Sequence, residues 1–228
     1  MAYKKTIVCL ANSRKMSGRC VAGKELRGRD WGAWLRPISG RSTEELSEEE
    51  RRYEDGLDPK VGDVIRLQLL EPRPHTYQQE NHLVDPGVHW KRLRRSNWAG
   101  LVGACDEVNV PLWRNGFSSS KGVNDRVPAA QAEGLRSSLY LVGPLAVDII
   151  VQPEWEGKRG VRVRFVLAGE QYKLKATDPI VERQYLARRN GSYPVPTALL
   201  CVSLGEVYEG HAYKLVATVI TPEIDEAP

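Results

Sequence analysis

Val161-Arg-Val-Arg-Phe-Val-Leu-Ala-Gly-Glu-Gln-Tyr-Lys-Leu-Lys-Ala-Thr-Asp-Pro179 is the stretch that decides the fold. Its first seven residues alternate apolar with basic or apolar partners, and Tyr172 to Thr177 alternate back, the period-two signature of strands with one buried face. Val161, Val163, Phe165 and Leu167 face one way with Tyr172, Leu174 and Ala176. Arg162, Arg164, Lys173 and Lys175 face the other way. A two-residue turn at Gly169-Glu170 sets Arg164 opposite Lys175. Asp178 is an N-cap and Pro179 suits the first helical position, so a helix follows at once. It runs through Arg188 and Arg189, whose charges suit its C-terminal dipole, and Gly191 stops it.

Working outward, Leu139 to Gln152 reads as a long strand broken at Gly143-Pro144, and Ala198–Ser203 and Ala212–Ile220 read as two more. Strand, strand, strand, helix, strand, strand over residues 135–221 is the element order of an OB-fold barrel. Residues 1–118 offer further strands at Thr6–Asn12, Ala33–Ser39 and Asp63–Leu70. Pro37 implies an edge or a bulge. Between the strands lies a capping box, Ser47 with Glu50, that opens an acidic surface helix ended by Gly56. A long irregular segment from Glu71 to Trp98 follows, rich in Pro, His and aromatic residues. Residues 115–127, dominated by Gly, Ser and Asn, read as the linker. The expected fold is therefore mainly β: two OB-like five-stranded barrels in tandem, at 1–118 and 135–221, with short helices and long loop insertions.

The chain of 228 residues is 41% hydrophobic, which supplies a core and excludes wholesale disorder. Met1 to Lys5 leads straight into a short apolar strand, too short for a signal-peptide core, and no run of about 18 apolar residues exists. A cytoplasmic protein without a membrane span is expected. Cys9, Cys20, Cys105 and Cys201 match no zinc spacing and read as free thiols in a reducing compartment. The net charge of +4 is uneven: residues 1–100 carry +5 and residues 101–228 carry −1, with the acidic side of the first lobe gathered between Glu44 and Asp58. Arginine outnumbers lysine 22 to 11. Arginine suits phosphate forks and stacking, although a GC-rich genome raises it too.

Four surfaces are candidates for chemistry. The hairpin at 161–177 offers Arg162, Arg164, Lys173 and Lys175, either to a polyanion or to water. In Trp90-Lys-Arg-Leu-Arg-Arg-Ser-Asn-Trp98, two tryptophans bracket Lys91, Arg92, Arg94 and Arg95. Charge for phosphates and flat rings for bases is what a single strand needs. The competing reading packs both tryptophans into the barrel rim. Asn12 to Arg19 reads as an anion-binding or plain polar loop carrying Arg14, Lys15 and Arg19, without a Walker A pattern. Trp34 and Arg36, on the second strand, join this set. The segment from His75 to His89, with Tyr77, Glu80 and His82, reads as a polar recognition loop or plain surface. Its histidine spacing fits no ligand motif, so no metal and no cofactor is assigned. The chain holds no GxSxG, HExxH, GxGxxG or DxD pair, and nothing singles out Glu206 or Glu209, so no catalytic residue is assigned.

Thr6-Ile-Val-Cys-Leu-Ala-Asn-Ser-Arg-Lys15, Gly18-Arg-Cys-Val-Ala-Gly-Lys24, Trp34-Leu-Arg-Pro-Ile-Ser39 and Pro72-Arg-Pro-His-Thr-Tyr-Gln-Gln-Glu-Asn81 resemble the prokaryotic dual OB-containing domain family. Cys201-Val-Ser-Leu-Gly-Glu206 and Tyr213-Lys-Leu-Val-Ala217 extend the resemblance over nearly the whole chain. It implies two OB modules, a nucleic-acid role and a place in a prokaryotic defence system, and it brings no catalytic residues. The function expected is a nucleic-acid-binding module for single-stranded DNA or RNA or for structured RNA. Two other classes stay open: a hydrolase or nucleic-acid-modifying enzyme using His75–His89 with Glu80, and an adaptor for a protein partner encoded nearby. The oligomeric state is not legible.

Overall fold

The computed structural model describes residues 1–28 and 30–226. It divides into two compact units, one of residues 1–104 together with the C-terminal residues from Ile224, the other Cys105–Glu223. The first unit begins with a meander, β1 (Tyr3–Lys15), β2 (Gly18–Arg27) and β3 (Asp30–Ile38). A one-turn helix α1 (Glu48–Arg51) precedes β4 (Asp63–Pro72), and β5 (Asn81–Val84), β6 (Lys91–Arg95) and a short helix α2 (Trp98–Val102) complete it. β3 pairs parallel to β5, β5 pairs with β4, and β4 pairs back to β1, which closes the ring. This is the OB wiring, a five-strand barrel with a helix between its third and fourth strands. β5 and β6 both pair with β4, at Leu69–Pro72 and Asp63–Arg66 respectively, so they act as one fifth strand interrupted at 85–90. The segment from Glu71 to Trp98, read from the sequence as irregular, thus holds two strands, with turns and loops at 73–80 and 85–90. The Ser47–Glu50 capping box forms, but the helix ends at Arg51, well short of Gly56, because its C-cap residue Arg52 is extended.

The second unit repeats the wiring. After β7 (Arg126–Pro128) and α3 (Ala129–Ala132) come β8 (Leu139–Pro153), β9 (Arg159–Leu167) and β10 (Glu170–Ala176). Then follow α4 (Pro179–Leu186), β11 (Gly191–Tyr208) and β12 (His211–Ile220). β10 runs parallel to β12, and β11 closes on β8. Asp178 caps α4, accepting from the N–H groups of Ile180 (2.9 Å) and Val181 (3.2 Å). Each sheet has six strands among the described residues, because the fifth strand of the first barrel is split into β5 and β6 and because β7 adds an outer strand to the second.

The barrels are filled from the inward faces of their strands. Ile7, Val21, Leu35, Ile65, Leu67 and Trp90 lie in the first core; Val142, Val163, Phe165, Leu174, Leu200 and Val216 lie in the second. Phe165 and Tyr172 stack with ring centroids 5.1 Å apart.

Residues 105–118, placed with the first lobe by their sequence, belong to the second unit, where Leu112 enters the core. The stretch 115–127 is built structure there, not a linker. Asp125 is 2% exposed and accepts from the N–H (2.7 Å) and hydroxyl (2.6 Å) of Ser119. Lys214, 1% exposed, donates to the carbonyl of Arg114 (2.7 Å) and to Asn115 Oδ1 (2.9 Å). The Tyr172 hydroxyl accepts from the Leu112 N–H at 3.0 Å and from Asn115 Nδ2 at 2.9 Å. No helix among the described residues is long and apolar enough to cross a membrane.

Candidate nucleic-acid interface

β6 is the terminal strand of its sheet, hydrogen-bonded only to β4. Its register slips between Val64 and Ile65, which face Arg94 and Arg92, so Leu93 is an extra residue on the β6 side. A bulge of this kind twists the strand and re-aims its side chains. Lys91, Arg92, Leu93 and Arg94 are all exposed, and Arg95 is half-buried. Arg66, exposed on β4, lies directly opposite Lys91. Among the described residues Arg66, Lys91, Arg92 and Arg94 make no ion pair. Arg92 packs over the ring of Tyr53, 5.8 Å from its centroid, a cation–π contact. The Tyr53 hydroxyl donates to buried Asp63 at 2.8 Å, and burial together with Asp63 pushes its pKa well up, so it stays protonated and anchored.

The tryptophans that bracket this run separate. Trp90 is 0% exposed, in the core beside Tyr53, with which it forms an isolated parallel bridge. It cannot stack on a base. Trp98 opens α2 and is half-exposed. Arg36, likewise proposed for the surface, is 5% exposed and held by Glu80 (3.1 Å) and Asn81 Oδ1 (3.2 Å). Glu80, read with the His75–His89 segment, is itself buried in that pair. Tyr77 is 3% exposed behind a tight turn in which the backbones of His75 and Gln78 bond each other. His75 and His89 are exposed, whereas His82 bonds the Tyr3 hydroxyl; burial, aided by Lys5, holds the pKa of His82 down. Among the described residues no three His, Cys, Asp or Glu side chains gather as a metal site.

Asn12 to Arg19 is the tip of the β1–β2 hairpin, not a loop. Arg14 faces Arg19 across it, and Met16 turns it with φ of 48°. Arg14 is exposed; Lys15 and Arg19 are partly so. Trp34 is half-exposed opposite Lys24, whose Nζ lies 5.7 Å from the ring centroid.

The second unit's basic face is largely neutralised. Ala168 and Gly169 make the turn with φ of 50° and 79°, so Arg164 pairs with Lys173 and Arg162 with Lys175, a register two residues from the expected one. Arg162 is 6% exposed and bridges Glu154 (2.7 Å) and Asp125 (3.3 Å). Burial opposes the charge on Glu154, but the Arg162 hydrogen bonds outweigh it and hold that carboxyl below its usual range. Arg164 pairs with Asp148 at 2.9 Å. Lys173 is partly buried, and of these four hairpin cations Lys175 alone is exposed without an ion pair among the described residues.

Arg66 is the contributor that sequence reading missed. The alternation of Asp63 to Gln68 puts it on the outer face, but only the pairing of β4 with β6 brings it beside Lys91. Comparison with curated proteins and with solved structures finds no match. The model of the dual OB-containing domain matches residues 5–219, nearly the whole chain and both closed barrels. The chain belongs to the dual OB-containing domain family.

Proposed function

We propose that the protein binds single-stranded nucleic acid and that Lys91, Arg92 and Arg94, with Arg66, hold its phosphates. The observation that carries this reading is an exposed edge strand on which Lys91, Arg92 and Arg94, with Arg66 beside them, make no ion pair among the described residues. OB barrels take oligonucleotides and oligosaccharides; four cations without an ion pair among the described residues favour the polyanion over the neutral sugar. The same charges keep the edge from pairing with another chain. Half-exposed Trp34 and Trp98 are aromatic surfaces of this unit.

The test is fluorescence anisotropy with labelled single-stranded DNA, RNA and duplex at several salt concentrations. Binding is expected to weaken steeply with salt, because phosphate contacts release counterions. Lys91→Ala/Arg92→Ala/Arg94→Ala is expected to lower affinity for every sequence alike. It should reduce the slope of log K against log salt by up to about one for each cation replaced. Unchanged affinity and slope in a variant that melts normally would falsify the assignment. The defence setting implied by the family resemblance is checked separately, by whether expression of the protein protects a host from phage.

A further inference from the structure

Trp155 is 70% exposed on the 3-10 turn Trp155–Gly157 that joins β8 to β9. The sheet register brings it to the end of the barrel where α4 finishes and β11 starts: Val151 faces Gly191 and Pro153 faces Arg159. Arg159 fastens the two together, donating to the carbonyls of Leu186 and, at 2.7 Å, Arg188. Those carbonyls belong to the end of α4, which the guanidinium satisfies in place of water. Arg188 lies over two rings, 4.7 Å from Tyr185 and 5.0 Å from Tyr193. The Tyr193 hydroxyl in turn donates to the Arg189 carbonyl at 2.7 Å. Arg183, Arg188 and Arg189 are exposed and make no ion pair among the described residues. Glu154, beside Trp155, is engaged by Arg162 at 2.7 and 3.2 Å.

A large flat ring left in water, at the same end of the barrel as a guanidinium already oriented by stacking, supplies the two kinds of group that bind an unstacked base and its phosphates. We infer that this end of the second barrel is a second contact for single-stranded nucleic acid, with a base on Trp155 and the flanking phosphates on Arg188 and Arg189. The inference rests on the nucleic-acid reading above but uses none of the same residues. Because the ring needs an exposed base face, it contributes to single strands and not to blunt duplex.

The experiment uses the full chain with labelled oligo-dT, oligo-U and a blunt duplex. Trp155→Ala is expected to weaken single-strand binding about tenfold with an unchanged salt slope, and to leave duplex binding alone. Arg188→Ala/Arg189→Ala is expected to lower the salt slope by up to about two. Oligo-dT is expected to quench part of the intrinsic tryptophan fluorescence, and Trp155→Phe to abolish that part. All three variants melt as the parent does. Wild-type affinity in Trp155→Ala, with quenching intact in Trp155→Phe, overturns the inference. If the parent binds and only the β6 variant loses affinity, this second site falls and the β6 site stands. If the parent binds nothing at low salt, both fall.

Discussion

Replacing Trp90 by alanine empties a side chain that is 0% exposed, so the expected cost is about 3–5 kcal/mol of stability. Arg92→Ala, two residues on, is expected to leave the melting temperature nearly unchanged and to act on binding instead. Thermal melts beside anisotropy on the two variants separate these roles. The residue type alone did not distinguish them, because the core that takes in Trp90 is gathered from residues distant in sequence, Ile7, Val21 and Tyr53 among them. Arg36→Ala takes the guanidinium from buried Glu80, and a loss of about 3–5 kcal/mol is expected by denaturant unfolding. Lys214 adds a pH dependence. Burial lowers its pKa to about 7, against Asp125 and Glu170, which act to raise it. Between about pH 7 and the model-peptide value near 10.4 the unfolded chain holds a proton that the folded chain has released. Stability therefore rises with pH across that window, by at most about 1.4 kcal/mol per pH unit. Urea midpoints at pH 7 and pH 9 measure the rise, and Lys214→Met is expected to flatten it.

At the scale of elements, the hairpin of β9 and β10 shows what local pattern specifies and where it stops. Alternation identified both strands and their buried faces, and Asp178-Pro179 located the start of α4. The register came out two residues off because Gly169-Glu170 is the better turn by composition. The chain instead puts Ala168 at φ 50°, an uncommon and strained conformation for alanine. Asn-Gly is the favoured pair for such a turn. Ala168→Asn is expected to stabilise the protein by up to about 1 kcal/mol, read as a higher denaturant midpoint; a lower midpoint would refute the account of the turn. In the first barrel, Gly23 of β2 lies so close to β1 that a Cβ would overlap the Val8 carbonyl. Gly23→Ala is expected to prevent that pairing, visible as loss of the cooperative transition. The interrupted fifth strand was not legible, since its halves β5 and β6 are defined by the edge of β4 they share. Nor was the burial of Arg36, whose partner Glu80 comes from a different part of the chain.

Across the whole molecule, two barrels of the same wiring carry different electrostatics, as the uneven charge of the two halves foreshadowed. In the first, Lys91, Arg92 and Arg94 of β6 make no ion pair among the described residues. In the second, Asp125, Asp148 and Glu154 answer Arg162 and Arg164 of β9. Arg164→Ala/Lys173→Ala/Lys175→Ala is therefore expected to change the salt slope of binding far less than the β6 variant does; an equal change would move the site to the second sheet. The ties that hold residues 105–128 to the second barrel also decide where the gene can be cut. A fragment that begins at Leu135, the point composition suggests, discards Leu112, Asn115, Ser119 and Asp125. Arg162 then keeps only Glu154, and Lys214 is left in the barrel wall with none of its oxygen partners. A fragment that begins at Cys105 keeps them all, so the Gly- and Ser-rich stretch between these two starting points is scaffold for expression purposes, and a protease is expected to cut it slowly.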